Sequence, residues 1–273
     1  MKSIVWPDQK RAVVSFSFDF DAESVWLAMD PENANRPGTL SIGVYGARVG
    51  LRLILDTLAR HAVKATFFVV GRNVELYPGR VAEIVAAGHE IGVHGYTHTP
   101  PARLTPAEEE AELVLARKLL EGAGATIRGY RSPSWEVSPA TLDLLVKHGF
   151  RYSSQFMADI RPYRHELHDL IELPIQWLLD DWPHFQMGFG QMDRLVRTTG
   201  EVETLWLEEL EGIAALGGHF LLTMHPQVMG RPSRVALLDR LIIKVKSRQD
   251  LWIATCGEVA AWAEKQLDRG VSS

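Results

Sequence analysis

"AVVSFSFDFD" occupies residues 12–21, an uncharged run of mostly apolar residues that closes on two aspartates. β-Branched and aromatic residues without a charge, over a length of this kind, read as a strand buried on both faces, as strands of parallel sheets are. Asp19 and Asp21 stand two positions apart, so on a strand they share a face. Two carboxylates crowded into one small volume repel each other. Either a cation or a basic side chain has to make that arrangement tolerable.

Six further segments resemble the first: "KATFFVV" from Lys64, "HEIGVH" from His89, "IRGYRS" from Ile127, "LIELPI" from Leu170, "HFLLTMH" from His219 and "LWIATC" from Leu251. Amphipathic stretches separate them, the alternation of βα units around a mostly parallel sheet. Seven such segments predict an α/β fold, a distorted (β/α) barrel. No linker, low-complexity tract or repeat interrupts the chain, so residues 1–273 are read as a single catalytic domain.

Helix starts are marked. Thr105 is placed as an N-cap, Pro106 at the first turn and Glu108 as the acid of a capping box, and Ser138 with Pro139 repeats the device. Glu108, Glu109, Glu110 and Glu112 read as a solvated helix face near a positive dipole end. Residues 29–45, rich in Asn, Pro and Gly, read as an irregular loop directly after the two aspartates, and a lid over them is expected.

The 273 residues are 46% hydrophobic and 23% charged, ordinary values for a globular protein. With 29 basic against 34 acidic residues and no basic cluster, a nucleic-acid partner is not expected. No apolar run has the length of a membrane span, and the N-terminus lacks the pattern of a signal peptide. A cytoplasmic location is therefore expected. Cys256, the single cysteine, excludes an internal disulfide framework and is read as a core thiol. Apolar surface around the Trp-rich segments is a candidate homo-oligomer contact.

Titratable residues gather where strands end. Asp19 and Asp21 close the first, His94 the third, Arg131 the fourth and His225 "HFLLTMH". In a parallel barrel those ends share one face, the face that carries active sites. "HGYTH" sets His94 and His98 four apart around Gly95, which lets a loop fold both imidazoles inward. Two histidines and one carboxylate are a ligand set known for catalytic zinc. One aspartate would then bind the cation and the other accept a proton; alternatively, either acid simply caps a loop or pairs with Arg131. Arg131 brings a fixed fork of donors to an aspartate, and Pro133 stiffens a turn that offers a backbone N–H to an oxyanion. Asp181, in "LDDWP", is the residue placed to orient His225 as a general acid.

In order, "SFDFD", "HGYTH", "RSPSW", "DDW" and "LLTMH" resemble the five motifs of the polysaccharide deacetylases, the NodB-homology or carbohydrate esterase family 4, over most of the chain. The resemblance implies a distorted barrel and metal-assisted hydrolysis of an N-acetyl or similar amide. It implies Asp19 as the base, Asp21, His94 and His98 as ligands of a divalent metal, zinc by expectation, and Arg131 as the residue that tunes Asp19. It further implies His225, oriented by Asp181, as the acid, the Ser134 N–H as oxyanion donor, and Trp135 and Trp182 as pocket walls. Phe20 between the acids and Ser134 after Pro133 depart from the common pattern and resemble the intracellular branch, which holds peptidoglycan-deacetylase-like proteins and relatives acting on allantoin or cyclic imides. The expected substrate is a small N-acyl compound or carbohydrate; the alternatives are ring opening of a cyclic amide and an inactive carbohydrate-binding relative.

Overall fold

The computed structural model describes residues 4–187 and 195–269. Its strands are β1 (Ala12–Phe20), β2 (Thr66–Val69), β3 (Glu90–Val93), β4 (Gly129–Tyr130), β5 (Tyr152–Ser153), β6 (Tyr163–Arg164), β7 (Ile171–Glu172), β8 (His219–Met224) and β9 (Leu251–Ile253). They form one sheet in the order β6-β7-β5-β4-β3-β2-β1-β8, with β9 beside β1. Every pairing is parallel except β6 with β7, and the sheet curls into a half-barrel.

The expected run at residues 12–21 is the hub of this sheet. All nine residues of β1 are buried. β8 follows one of its edges, while β9 and then β2 share the other. Phe16, Phe18 and Phe20 pack outward with Leu51, Ile54, Leu58, Val81 and Ile84 of the helices Leu51–Arg60 and Pro78–Ala86. Phe18 stacks on Phe67 at 5.0 Å. The other face carries small polar residues: Ser15 Oγ donates to the Ala254 carbonyl (2.8 Å) and Ser17 Oγ to that of Leu222 (2.6 Å). Those bonds satisfy hydroxyls that would otherwise be costly to bury.

Three expectations need correction. The described residues hold nine strands where seven were expected, because β5 and β6 are only two residues long and carry no readable period, and "LIELPI" contributes only Ile171–Glu172. Residues 29–45 are not an irregular lid. The chain runs through the helix Ser24–Met29, a 3-10 turn Pro31–Asn35 and the helix Pro37–Tyr45, then a π turn at Gly46–Gly50. Asp30 caps this stretch by accepting from the Glu32 N–H at 3.0 Å, and Pro31 and Pro37 occupy first-turn positions where a missing N–H costs nothing.

The glutamate run is not wholly solvated. The helix Pro106–Gly122 starts with the expected Thr105–Glu108 capping box, but Glu109 is buried in one stripe with Leu113, Ala116 and Leu120. Its carboxylate accepts from Ser138 and Thr141. Ser138 does repeat the capping device ahead of the helix Thr141–Lys147: its Oγ accepts the Ala140 N–H at 3.0 Å and its own N–H donates to Thr141 Oγ1 at 2.9 Å, with Pro139 in the turn that leads into the helix. Cys256 is a buried thiol. Among the described residues no helix is long and apolar enough to cross a membrane.

Candidate active site

Because its parallel strands point the same way, the sheet brings Asp19, Asp21, His94, Arg131 and His225 to one edge from β1, β3, β4 and β8. With His98, Ser134, Trp135, Asp180 and Trp182, all of these but Arg131 line a cleft of about 640 Å³. Arg131 lies beneath it, fully buried.

Arg131 Nη1 donates to Asp19 Oδ1 (2.8 Å) and Ser17 Oγ (2.9 Å), its Nε and Nη2 reach Ser154, and its guanidinium covers the Phe68 ring at 4.1 Å. One Asp19 oxygen is thereby fixed. The other, Oδ2, faces His94 Nε2 at 3.8 Å. The charge-assisted bond holds the Asp19 carboxylate in one orientation at the cleft floor.

Asp21 is held differently. Oδ2 accepts from Gln227 Nε2 (3.1 Å) and lies 3.8 Å from His225 Nε2. Among the described residues Oδ1 has no hydrogen-bond partner, although it faces the Nε2 atoms of His94 (3.5 Å) and His98 (3.8 Å). Burial above all pushes the Asp21 carboxyl up to about 8. Burial also lowers both histidines, His98 further because His94 stands beside it, so both imidazoles favour their neutral, ligating form.

The "HGYTH" loop owes its shape to three devices. His94 Nδ1 bonds the Arg131 carbonyl at 2.8 Å, which aims Nε2 into the cleft. Gly95 adopts φ 69°, where a Cβ would stand 3.0 Å from Pro133 Cγ, and His98 is itself left-handed at φ 68°. Glu112 ties the loop down by accepting from the Tyr96 and Thr97 N–H groups (3.3 and 3.2 Å). Glu112 thus has a role that the expected solvated face did not give it.

His225 and Asp181 meet across 44 residues because Asp180 bridges Thr223 and the Asp181 N–H bonds the Thr223 carbonyl. Asp181 Oδ1 lies 2.6 Å from His225 Nδ1, and Oδ2 accepts the His225 N–H at 2.9 Å. Burial alone would lower the imidazole, yet Asp181, then Asp180 at 3.7 Å and Asp21 hold it well above its usual value. Sequence reasoning missed Asp180, whose own carboxyl burial raises to about 7. Its place next to Asp181 was the available signal.

Trp135 and Trp182 stand on the walls. Trp135 packs on Trp177 with ring centroids 4.2 Å apart, and Trp182 on Trp26 at 5.7 Å. Ser134 and Trp135 are both left-handed (φ 57° and 59°), strained for residues with side chains, and strain of that kind clusters at functional sites. Val25 and Met29, from the helical stretch that replaced the expected lid, complete the wall.

A fixed carboxylate beside an imidazole–carboxylate pair, at the open edge of a half-barrel, supplies the base and the acid that splitting a bond with activated water requires. Comparison with known proteins narrows the class. The polysaccharide deacetylase family model matches residues 45–153. A crystal structure from Mycobacterium smegmatis, assigned as a polysaccharide deacetylase, superposes with a TM-score of 0.94 at 37% identity, covering 98% of this chain and 95% of that one. The peptidoglycan deacetylase of Helicobacter pylori is 27% identical over 92% of this chain and 96% of its own. The structure of PuuE allantoinase shares the fold at a TM-score of 0.81 and 21% identity, over 96% and 93% of the two chains. The chain belongs to the polysaccharide deacetylase family, the NodB-homology group of carbohydrate esterase family 4, and is a hydrolase of amide carbon–nitrogen bonds.

Among the described residues, two groups of side chains have ligand atoms within 4.8 Å of one another: Asp21, His94 and His98, and Asp180, Asp181 and His225. The first fits a divalent cation, since it pairs an unpartnered buried carboxylate oxygen with two imidazoles that favour neutrality. The second is closed by the short His225–Asp181 bond.

Proposed function

We propose that the chain removes the acyl group of a small N-acylated amino sugar or related small N-acyl compound, with zinc held by Asp21, His94 and His98. The observation that carries this reading is the buried Asp21 Oδ1, without a hydrogen-bond partner and facing two imidazole nitrogens at 3.5 and 3.8 Å. An unpaired buried carboxylate oxygen is costly unless a cation completes it. When bound, the cation supplies a Lewis acid that acidifies water and polarises a carbonyl.

The side chains supply the rest. Asp19, with Oδ1 committed to Arg131, keeps Oδ2 to take the proton of the attacking water. His225, cationic beside Asp181, gives a proton from Nε2 to the departing nitrogen, so the amine leaves neutral. The Ser134 N–H, on its strained turn, is the donor for the oxyanion that forms as the carbonyl is attacked. Trp135 and Trp182 offer flat faces to a sugar or ring and exclude water from the rest of the cleft.

Purified protein is expected to carry close to one equivalent of zinc by elemental analysis. His98→Ala should bind it at least ~100-fold more weakly, since even outer partners of ligands cost about 10–100-fold. Metal retained by that variant at wild-type affinity would remove His98 from the ligand set. Assaying acetate release against ring opening on a panel of N-acetyl amino sugars and cyclic imides tests the substrate; ring opening alone would replace deacetylation as the reaction.

The acid role of His225 has a pH signature. A cation needed for proton donation is lost as pH rises through its raised pKa, so that pKa sets the alkaline limb of kcat/KM. Asp181→Asn removes the largest influence that raises it. The alkaline limb should therefore move to lower pH, by about 1 unit or more, and an unmoved limb would take the acid role from His225.

A further inference from the structure

Gln227 follows His225 and Pro226, is 1% exposed, and donates from Nε2 to Asp21 Oδ2 at 3.1 Å, joining residues 206 apart in sequence. With a cation bound, Asp21 is ionised and only accepts, so the amide then has to present its NH₂ side. Its Oε1 is left buried without a partner, a cost the fold bears to keep Nε2 on Asp21. With Oδ2 so occupied, Oδ1 is the oxygen turned toward the two imidazoles.

What presses Gln227 into place is the "GARVG" turn. The π turn Gly46–Gly50 lies directly on the short helix Pro226–Met229. A Cβ on Gly46 would come within 2.8 Å of Gln227 Cβ and N, and one on Gly50 within 2.1 Å of the Pro226 carbonyl oxygen. Backbone meets backbone here, which only glycine allows. The Tyr45 hydroxyl bonds the Gly230 carbonyl at 2.9 Å and the Arg231 guanidinium lies 3.7 Å over the Tyr45 ring, closing the far end of the same contact.

We propose that Gln227 is a positioning residue for the metal centre, clamped by the Gly46–Gly50 turn so that its amide holds one oxygen of Asp21 and turns the other toward the cation. The inference rests on the reading of Asp21, His94 and His98 as zinc ligands. It also gives a task to the helical stretch that precedes the turn: the stretch carries the turn onto Gln227.

The test measures zinc affinity by competition with a chromophoric chelator on the full chain, with apo unfolding temperature recorded in parallel. Wild type, His98→Ala, Gln227→Met and Gly46→Ala are compared. Gln227→Met keeps the volume and loses the donor, and should bind zinc about 10–100-fold more weakly. Gly46→Ala touches no ligand and should weaken binding in the same direction by displacing Gln227. Wild-type affinity in Gln227→Met, with or without a lower apo unfolding temperature, would overturn the inference while leaving the ligand set standing. Wild-type affinity in Gly46→Ala would overturn the turn's part in it. A wild-type chain that binds no zinc, giving His98→Ala nothing to lose, would overturn the ligand set and this inference together.

Discussion

Asp19→Asn is expected to lower kcat/KM by about 10²–10⁴-fold, the range that a lost general base costs, while zinc affinity stays close to that of wild type. The asparagine keeps the size of the side chain and a carbonyl oxygen for Arg131 Nη1, now 2.8 Å from Oδ1. What it removes is an oxygen able to take up a proton. Asp21 separates the two possible roles of the acid pair, because its free Oδ1 faces both imidazoles while Asp19 has one oxygen tied to a guanidinium. Kinetics and zinc titration on the same preparation decide the matter. Activity within tenfold of wild type would remove Asp19 as the base, and parallel loss of zinc would make it a ligand.

The repulsion that the spacing of Asp19 and Asp21 raises is handled in three ways at once. Arg131 neutralises one acid, burial pushes the other up to about 8, and a cation would take the charge of the second when it ionises. Only the first could be read with any directness from the sequence, as a basic residue at a neighbouring strand end. β1 itself was legible because a strand buried on both faces needs an uninterrupted uncharged run, and the residues from Ala12 to Phe18 supply one. β5 and β6 were missed for the opposite reason: two residues each show neither a period nor a composition.

Residues 29–45 misled by composition. Their prolines and asparagines read as loop, yet Pro31 and Pro37 begin helical turns, and Asn33 Nδ2 bonds the Trp26 carbonyl at 2.8 Å. Proline at a first turn is a helix signal as much as a loop signal. Gln227 and Glu112 were illegible for a different reason. Gln227 acts on Asp21 through a single bond across 206 residues, and Glu112 holds Tyr96 and Thr97 of the histidine loop from a neighbouring helix; no local spacing encodes either pairing. Glu109 did leave a trace, since it continues the spacing of Leu113, Ala116 and Leu120.

Arg131→Met should destabilise the fold by about 3–5 kcal/mol, the cost of breaking a buried ion pair from one side. The guanidinium is fully buried, with Asp19, Ser17 and Ser154 as its polar partners and Phe68 beneath it. Methionine fills part of the volume but leaves the carboxylate of Asp19 at 1% exposure with no positive partner. An exposed pair such as Arg60–Asp239 is worth only about 0–1 kcal/mol, so Arg60→Met serves as the comparison in the same urea titration, run with metal chelated. Adding Asp19→Asn to Arg131→Met removes the stranded charge, and the double variant should recover about 1 kcal/mol or more relative to Arg131→Met alone. If Arg131→Met cost no more than Arg60→Met, or if the double variant were simply additive, the pair would be no more than a contact, and the aim of Asp19 Oδ2 into the cleft would have to come from the strand alone.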